Sequence, residues 1–245
     1  MAVSQTTLLV IFILFSGTLV RSALGFGEAL IAVPLLALLL PVEVAAPTAV
    51  LVSITIAFII FAQEWRSVHY RSAGWLLLST LFGIPAGLYL LKAFPEPVVK
   101  AILGIVIAGF ALHSLRVSKR GEWKDDRFAW VFGWVAGLLG GAYGMNGPPL
   151  VIYGSYRGWT PERFRATLQA YFLPASLAGM GGYWAAGLWT AAVNHYYLIS
   201  LPAVLAAIFL GRYLHRRLPV RRFFLLVHLG LLVTGCVLVL QAIRR

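Results

Sequence analysis

Arg21 and Glu28 are the charges of the first forty residues, seven positions apart inside apolar sequence, and both could do chemistry there. A spacing of seven returns to the same face of a helix, so the carboxylate can neutralise the guanidinium or carry a proton. A charge in an apolar stretch is expensive unless paired, so a role is expected for each. Arg21 has two readings. It lies deep in a membrane, able to pair with an anion, if its segment dips in from outside; it is an ordinary cytoplasmic loop arginine if both flanking arms cross fully.

Two Gly/Pro clusters add backbone chemistry, LGFGEALIAVP at 24–34 and GGAYGMNGPPLVIY at 140–153. Neither can be a smooth helix, because Gly and Pro weaken or interrupt the backbone ladder. Where a helix restarts after a break, its first N–H groups are free and its dipole adds partial positive charge, a setting that suits an anion. Gly25, Gly27, Gly144 and Gly147 allow close approach of backbone to ligand, and Pro34, Pro148 and Pro149 are expected to fix where the next helical segment begins. Asn146 supplies amide donors and Tyr153 a hydroxyl, both without a buried charge. The candidate substrate-binding set is therefore Arg21, Gly25, Gly27, Glu28, Gly144, Asn146, Gly147 and Tyr153. The plainer alternative is that the glycines and prolines only let helices pack closely.

Other chemistries lack their residues. The chain has no HExxH, no GxSxG and no paired aspartates within an apolar stretch, and the single cysteine, Cys236, excludes a CxxC site. His113, His195 and His228 have no carboxylate at ligand spacing and read as packing residues. No metal, cofactor or catalytic residue is expected. An intramembrane enzyme is thus disfavoured, while an anion channel, which could use the same helix ends to line a pore, stays open.

The elements that must position these residues are membrane helices. The chain is 60% hydrophobic and 11% charged, against about a quarter charged in soluble domains. The net charge of +12 does not indicate nucleic acid, because the 20 Lys and Arg lie mainly in connections between apolar segments. Apolar stretches fall at 6–20, 23–40, 44–62, 73–91, 97–115, 128–142, 144–156, 166–188, 193–210 and 223–242. The first two and the sixth and seventh are unusual. A stretch of about 15 residues reaches about 22 Å, short of a hydrocarbon core of about 30 Å, so each pair is expected to form a discontinuous or re-entrant hairpin. No Lys or Arg precedes the first stretch, so a cleaved leader is not expected. Trp65, Trp123, Trp159, Trp184 and Trp189 near segment ends suit interfacial belts, and Arg163 and Arg165 suit a solvated face.

The halves repeat. At an offset of 124, Gly87/Gly211, Tyr89/Tyr213 and Pro95/Pro219 coincide, and at 119 so do Gly25/Gly144, Glu43/Glu162 and Thr48/Thr167. The fold expected is a single all-α polytopic membrane domain of two inverted repeats, about 6–117 and 128–242, each a broken hairpin followed by three transmembrane helices. If each hairpin contributes an even number of crossings, 16 basic residues, Arg21 among them, fall on one side and 4 on the other. The positive-inside rule then makes the first side cytoplasmic and both termini extracytoplasmic.

GFGEALIAVPLL at 25–36 resembles the GxGGGxxxVPxL pattern of the sulfite exporter TauE/SafE family, also called the four-toluene sulfonate uptake permease family. GMNGPPLVIY at 144–153 resembles its GxGGPPxxxY pattern, with Asn146 in place of a glycine, as Glu28 and Ala29 replace glycines in the first motif. The resemblance implies a multi-pass protein of the cell membrane, an exporter or permease for sulfite, sulfoacetate, a sulfonate or another small organic anion. With no ATP-binding motif, transport would draw on the substrate's own gradient or on a coupling ion, proton or sodium; a homo-oligomer stays open.

Overall fold

In hydrocarbon every backbone N–H and C=O needs a partner within the segment, so apolar runs of this composition become helices. The computed structural model describes residues 5–64, 69–116, 123, 125–159, 161–215 and 220–243. Within them the chain forms α1 (Gln5–Leu24), α2 (Glu28–Ala37), α3 (Val42–Glu64), α4 (Tyr70–Ala93), α5 (Glu96–Arg116), α6 (Ala129–Tyr143), α7 (Gly147–Tyr156), α8 (Pro161–Ala185), α9 (Ala191–His215) and α10 (Val220–Ile243). No strand occurs among the described residues. Helices α1, α3, α4, α5 and α9 are long and apolar enough to cross a membrane. The protein is a helical, multi-pass membrane protein.

Both expected breaks fall at the glycines. Gly25 and Gly27, between α1 and α2, have φ of 89° and 104°, and Gly144, after α6, has φ of 66°. This left-handed region admits glycine without a Cβ penalty. At Gly144 the helix ends in an αL cap, Gly144 N–H donating to the Gly140 carbonyl at 2.8 Å, and Met145 N–H adds a bond to the Leu139 carbonyl at 3.2 Å. The short helices α2 and α7 have 10 residues each, about 15 Å, half a hydrocarbon core.

Two expectations are corrected. The first stretch is not short: α1 has 20 residues, about 30 Å, because Arg21 and Ser22 continue the helix inside the protein. Pro34 does not start a segment but lies inside α2, whereas Pro148 and Pro149 do open α7.

Small residues set the packing, as is usual between membrane helices. Along α6, Gly133, Gly137 and Gly141 meet the carbonyls of Leu76, Thr80 and Ile84 on α4, where an added Cβ would stand 2.2 to 2.4 Å from each oxygen. The two partner series ascend together, so α4 and α6 run parallel. Helices α5 and α10 meet at Gly104 and Gly235; Gly104 also faces Val239 and Gly235 faces Ala108. That crossed register is antiparallel. With α6 to α10 as counterparts of α1 to α5, the pairs α1·α9, α1·α2, α1·α3 and α3·α9 correspond to α6·α4, α6·α7, α6·α8 and α8·α4, and α3·α8 and α5·α10 map onto themselves.

Candidate functional site

The chain reverses within three residues between α1 and α2, which lays Arg21 and Glu28 side by side in the interior. The Arg21 Nη1 to Glu28 Oε2 distance is 3.2 Å, and the side chains are 3% and 1% exposed. The same Nη1 donates to Ser53 on α3, and Nη2 donates to Gln169 Oε1 on α8 at 3.0 Å. Phe172 covers the guanidinium, its ring centroid 4.7 Å from Cζ. Arg21 is thus buried in the protein and is not a loop arginine. Gln169 closes the ring by donating from Nε2 to the Gly25 carbonyl at 2.6 Å, which holds the break itself. Two atoms of the pair stay unpartnered: Arg21 Nε and Glu28 Oε1.

Beside the pair lies a cavity of about 20 Å³, lined by Arg21, Gly27, Glu28, Ala29, Leu30 and Ser53 on one side and by Gly144, Met145, Asn146, Gly147 and Phe172 on the other. Its space suits one water molecule. The first turns of α2 and α7 both border it. Neither helix has a side-chain cap, so the backbone N–H groups of Glu28, Ala29 and Leu30 have no partner within α2. Helix α7 offers fewer donors, since Pro148 and Pro149 carry no N–H. A Cβ built on Gly147 meets nothing within 4 Å. Asn146 donates from Nδ2 to the Tyr171 hydroxyl at 3.3 Å, and that hydroxyl bonds Thr80 at 2.6 Å.

Six of the eight candidate residues border this cavity: Arg21, Gly27, Glu28, Gly144, Asn146 and Gly147. Gly25 stands behind it, engaged by Gln169. Tyr153 is elsewhere, because six residues of helix put it about 9 Å along α7 from Gly147. Its hydroxyl donates to Asp126 Oδ1 at 2.7 Å.

Asp126 is the centre of a second cluster where α6 begins and α7 ends. It accepts from Ser72 at 2.6 Å and pairs with Arg157 at 3.3 Å and with the exposed Arg71 at 3.8 Å. Desolvation works to raise the Asp126 carboxyl, but hydrogen bonds from Ser72 and Tyr153 and the Arg157 charge prevail and hold it below its usual value. Trp123 N–H donates to the Tyr156 carbonyl at 3.0 Å, and its ring stacks on Tyr156 at 4.6 Å. The hairpin α6–α7 therefore returns to the side it leaves. Trp159, expected in an interfacial belt, is instead buried against Tyr153; Trp65 lies outside the described residues.

Gln169, Ser53 and Phe172 escaped the sequence reading. Gln169 carried a signal, being a polar residue in the apolar stretch 166–188. Ser53 and Phe172 carried none, since serine and phenylalanine are ordinary in membrane helices.

A buried arginine stands beside two uncapped helix starts in an all-helical membrane protein, and no group of three or more metal-binding side chains occurs among the described residues. The chain belongs to the sulfite exporter TauE/SafE family, whose model matches residues 9–238; members are membrane exporters rather than enzymes. It is similar to the probable sulfite/organosulfonate exporter TauE of Cupriavidus necator, 28% identical over 209 residues that cover 82% of this chain and 80% of the relative. No solved structure matches significantly.

Proposed function

We propose that the protein is a secondary transporter for a small oxyanion, such as sulfite, a sulfonate, sulfoacetate or a small carboxylate, held between the first turns of α2 and α7. One observation carries this reading: Arg21, 2% exposed, faces a cavity that both uncapped helix starts border. A guanidinium presents forked donors that fit the geometry of an oxyanion, and helix N-termini add partial positive charge without a second cation. The relative's name, a sulfite/organosulfonate exporter, supports the same substrate class.

The antiparallel pairing of α5 and α10 supports two inverted repeats, 6–117 and 128–242, in which equivalent helices run in opposite directions. Inversion sets the two breaks face to face about an axis in the membrane plane, an arrangement that recurs in transporters. With Arg21 taken out of the loops, the basic residues divide 15 to 4 (16 less one), which still favours extracytoplasmic termini. Proteoliposome flux tests the proposal: uptake or release of sulfite or methanesulfonate should be competed by other sulfonates and small carboxylates, and competition by amines or sugars with no effect of any anion overturns it.

A further inference from the structure

Resting on the anion reading of the central cavity, we infer that Glu28 is a proton-coupling site: each monovalent anion that takes Arg21 displaces Glu28, which then carries one proton. The argument is one of charge. Arg21 and Glu28 are the charged side chains lining the cavity, and both are buried to within 2%. Paired, they sum to zero. The groups that face Glu28 from the packed helices are Arg21 on α1, Ser53 on α3 and the neutral Asn146 at the start of α7, while Gln169 on α8 engages the far side of Arg21.

An anion bound to Arg21 would leave the Glu28 carboxylate unpaired in a dry interior, which costs several kcal/mol, and a carboxyl in that position neutralises instead. Arginine cannot supply the proton, since it stays charged in proteins. The proton therefore comes from solution and bonds to a Glu28 carboxyl oxygen. Oε1, buried and unpartnered at the cavity, is free to receive it. The sum is again zero: guanidinium plus anion, beside a neutral acid.

Space requires the same exchange. About 20 Å³ admits a water and no oxyanion, so the ligand enters as Glu28 moves off Arg21. Opposite Glu28 the chain has Gly147, its counterpart at the offset of 119 that relates the two motifs, with open space where a side chain would be. That space is where the anion sits once Glu28 has moved. A sodium ion is the weaker candidate for coupling, because a hard cation prefers several oxygen ligands and the cavity lining holds no carboxylate besides Glu28.

Methanesulfonate is the probe, because it stays a monoanion across the pH range used. With purified full-length protein, binding to wild type should weaken by about tenfold per pH unit on the alkaline limb between about pH 5 and 9 and take up about one proton per anion, read as the change of pH in weakly buffered solution. Glu28→Gln, a mimic of the neutral acid, should bind with no pH dependence and no proton uptake. Wild-type binding without proton uptake overturns the inference and leaves the anion site standing, and this measurement needs no variant to fold. Sodium-dependent, pH-independent binding overturns it too, as does a pH profile of Glu28→Gln equal to that of wild type. Absence of methanesulfonate binding to wild type at any pH overturns the anion site and the inference together.

Discussion

Gly87 and Gly211 make the same crossing against different helices. A Cβ on Gly87 would stand 2.1 Å from the Leu138 carbonyl oxygen and 2.7 Å from Ala142 N; a Cβ on Gly211 would stand 2.8 Å from Leu19 O and 3.2 Å from Ala23 N. Leu19 and Leu138, like Ala23 and Ala142, are 119 positions apart, and the two glycines are 124 apart. The offsets found between identical residues thus relate contacts as well as letters.

This relationship makes Gly87→Ala and Gly211→Ala destabilising, because each forces a backbone-to-backbone contact apart. Overpacking of this kind costs about 1 to 3 kcal/mol. Gly109→Ala is the control: nothing lies within 4 Å of its Cβ, and alanine is the better helix former. Thermal unfolding in detergent should show lower midpoints for the first two variants and an unchanged or higher one for the third. Equal behaviour of all three would mean that the crossings are loose.

What the sequence made legible follows from which signals are local. The breaks at Gly25 to Gly27 and Gly144 could be read because left-handed backbone calls for glycine, and the helices because hydropathy is local. The length of α1 was misread at Arg21: a lone charge looks like a helix end until a partner is known. Glu28 is Arg21's partner, but through the chain reversal at 25–27 and not through a shared helical face as the spacing of seven suggests, and Ser53 and Gln169 reach Arg21 from 32 and 148 positions away. No local pattern records such contacts. Tyr153 was grouped with Asn146 because they share a motif, yet a helix of six intervening steps carries it to the other end of α7.

Topology is open to labelling. The 15 to 4 division of basic residues predicts the connection before α6 in the cytoplasm and that between α8 and α9 outside. In a Cys236→Ala background, Asp125→Cys should react with an impermeant maleimide only after cells are opened, and Thr190→Cys in intact cells. Both positions are exposed. The reverse pattern would invert the orientation.

Asp126 ties α4 to the far end of α7, and its titration has a definite sign. Its carboxyl is held below the usual value in the folded protein, so its contribution to stability is complete above the unfolded value of about 3.9. That contribution disappears as pH falls through the lower folded value. Asp126→Asn should therefore lower the unfolding midpoint at neutral pH, and the gap to wild type should narrow as the medium is acidified below about pH 4. A gap that widens with acid would contradict the assignment.

Side chains at the central cavity and at the end of α7 should separate binding from stability. A Cβ on Gly147 would meet nothing within 4 Å, so the side chain of Gly147→Leu starts into the space proposed for the anion, and affinity for methanesulfonate should be lost in protein that still unfolds cooperatively. Asn146 is 8% exposed and borders the same space; Asn146→Ala removes an amide able to reach the ligand and should weaken binding by about 1 to 3 kcal/mol. Tyr153→Phe is the contrast. Its hydroxyl serves Asp126 at 2.7 Å, so removing it should lower stability by about 1 kcal/mol and leave affinity unchanged. Calorimetric titration of the three variants, each with its thermal midpoint, checks the assignment. If Gly147→Leu and Asn146→Ala bind as wild type does while Tyr153→Phe does not, the anion lies toward the Asp126 end of α7 and the central cavity serves packing alone.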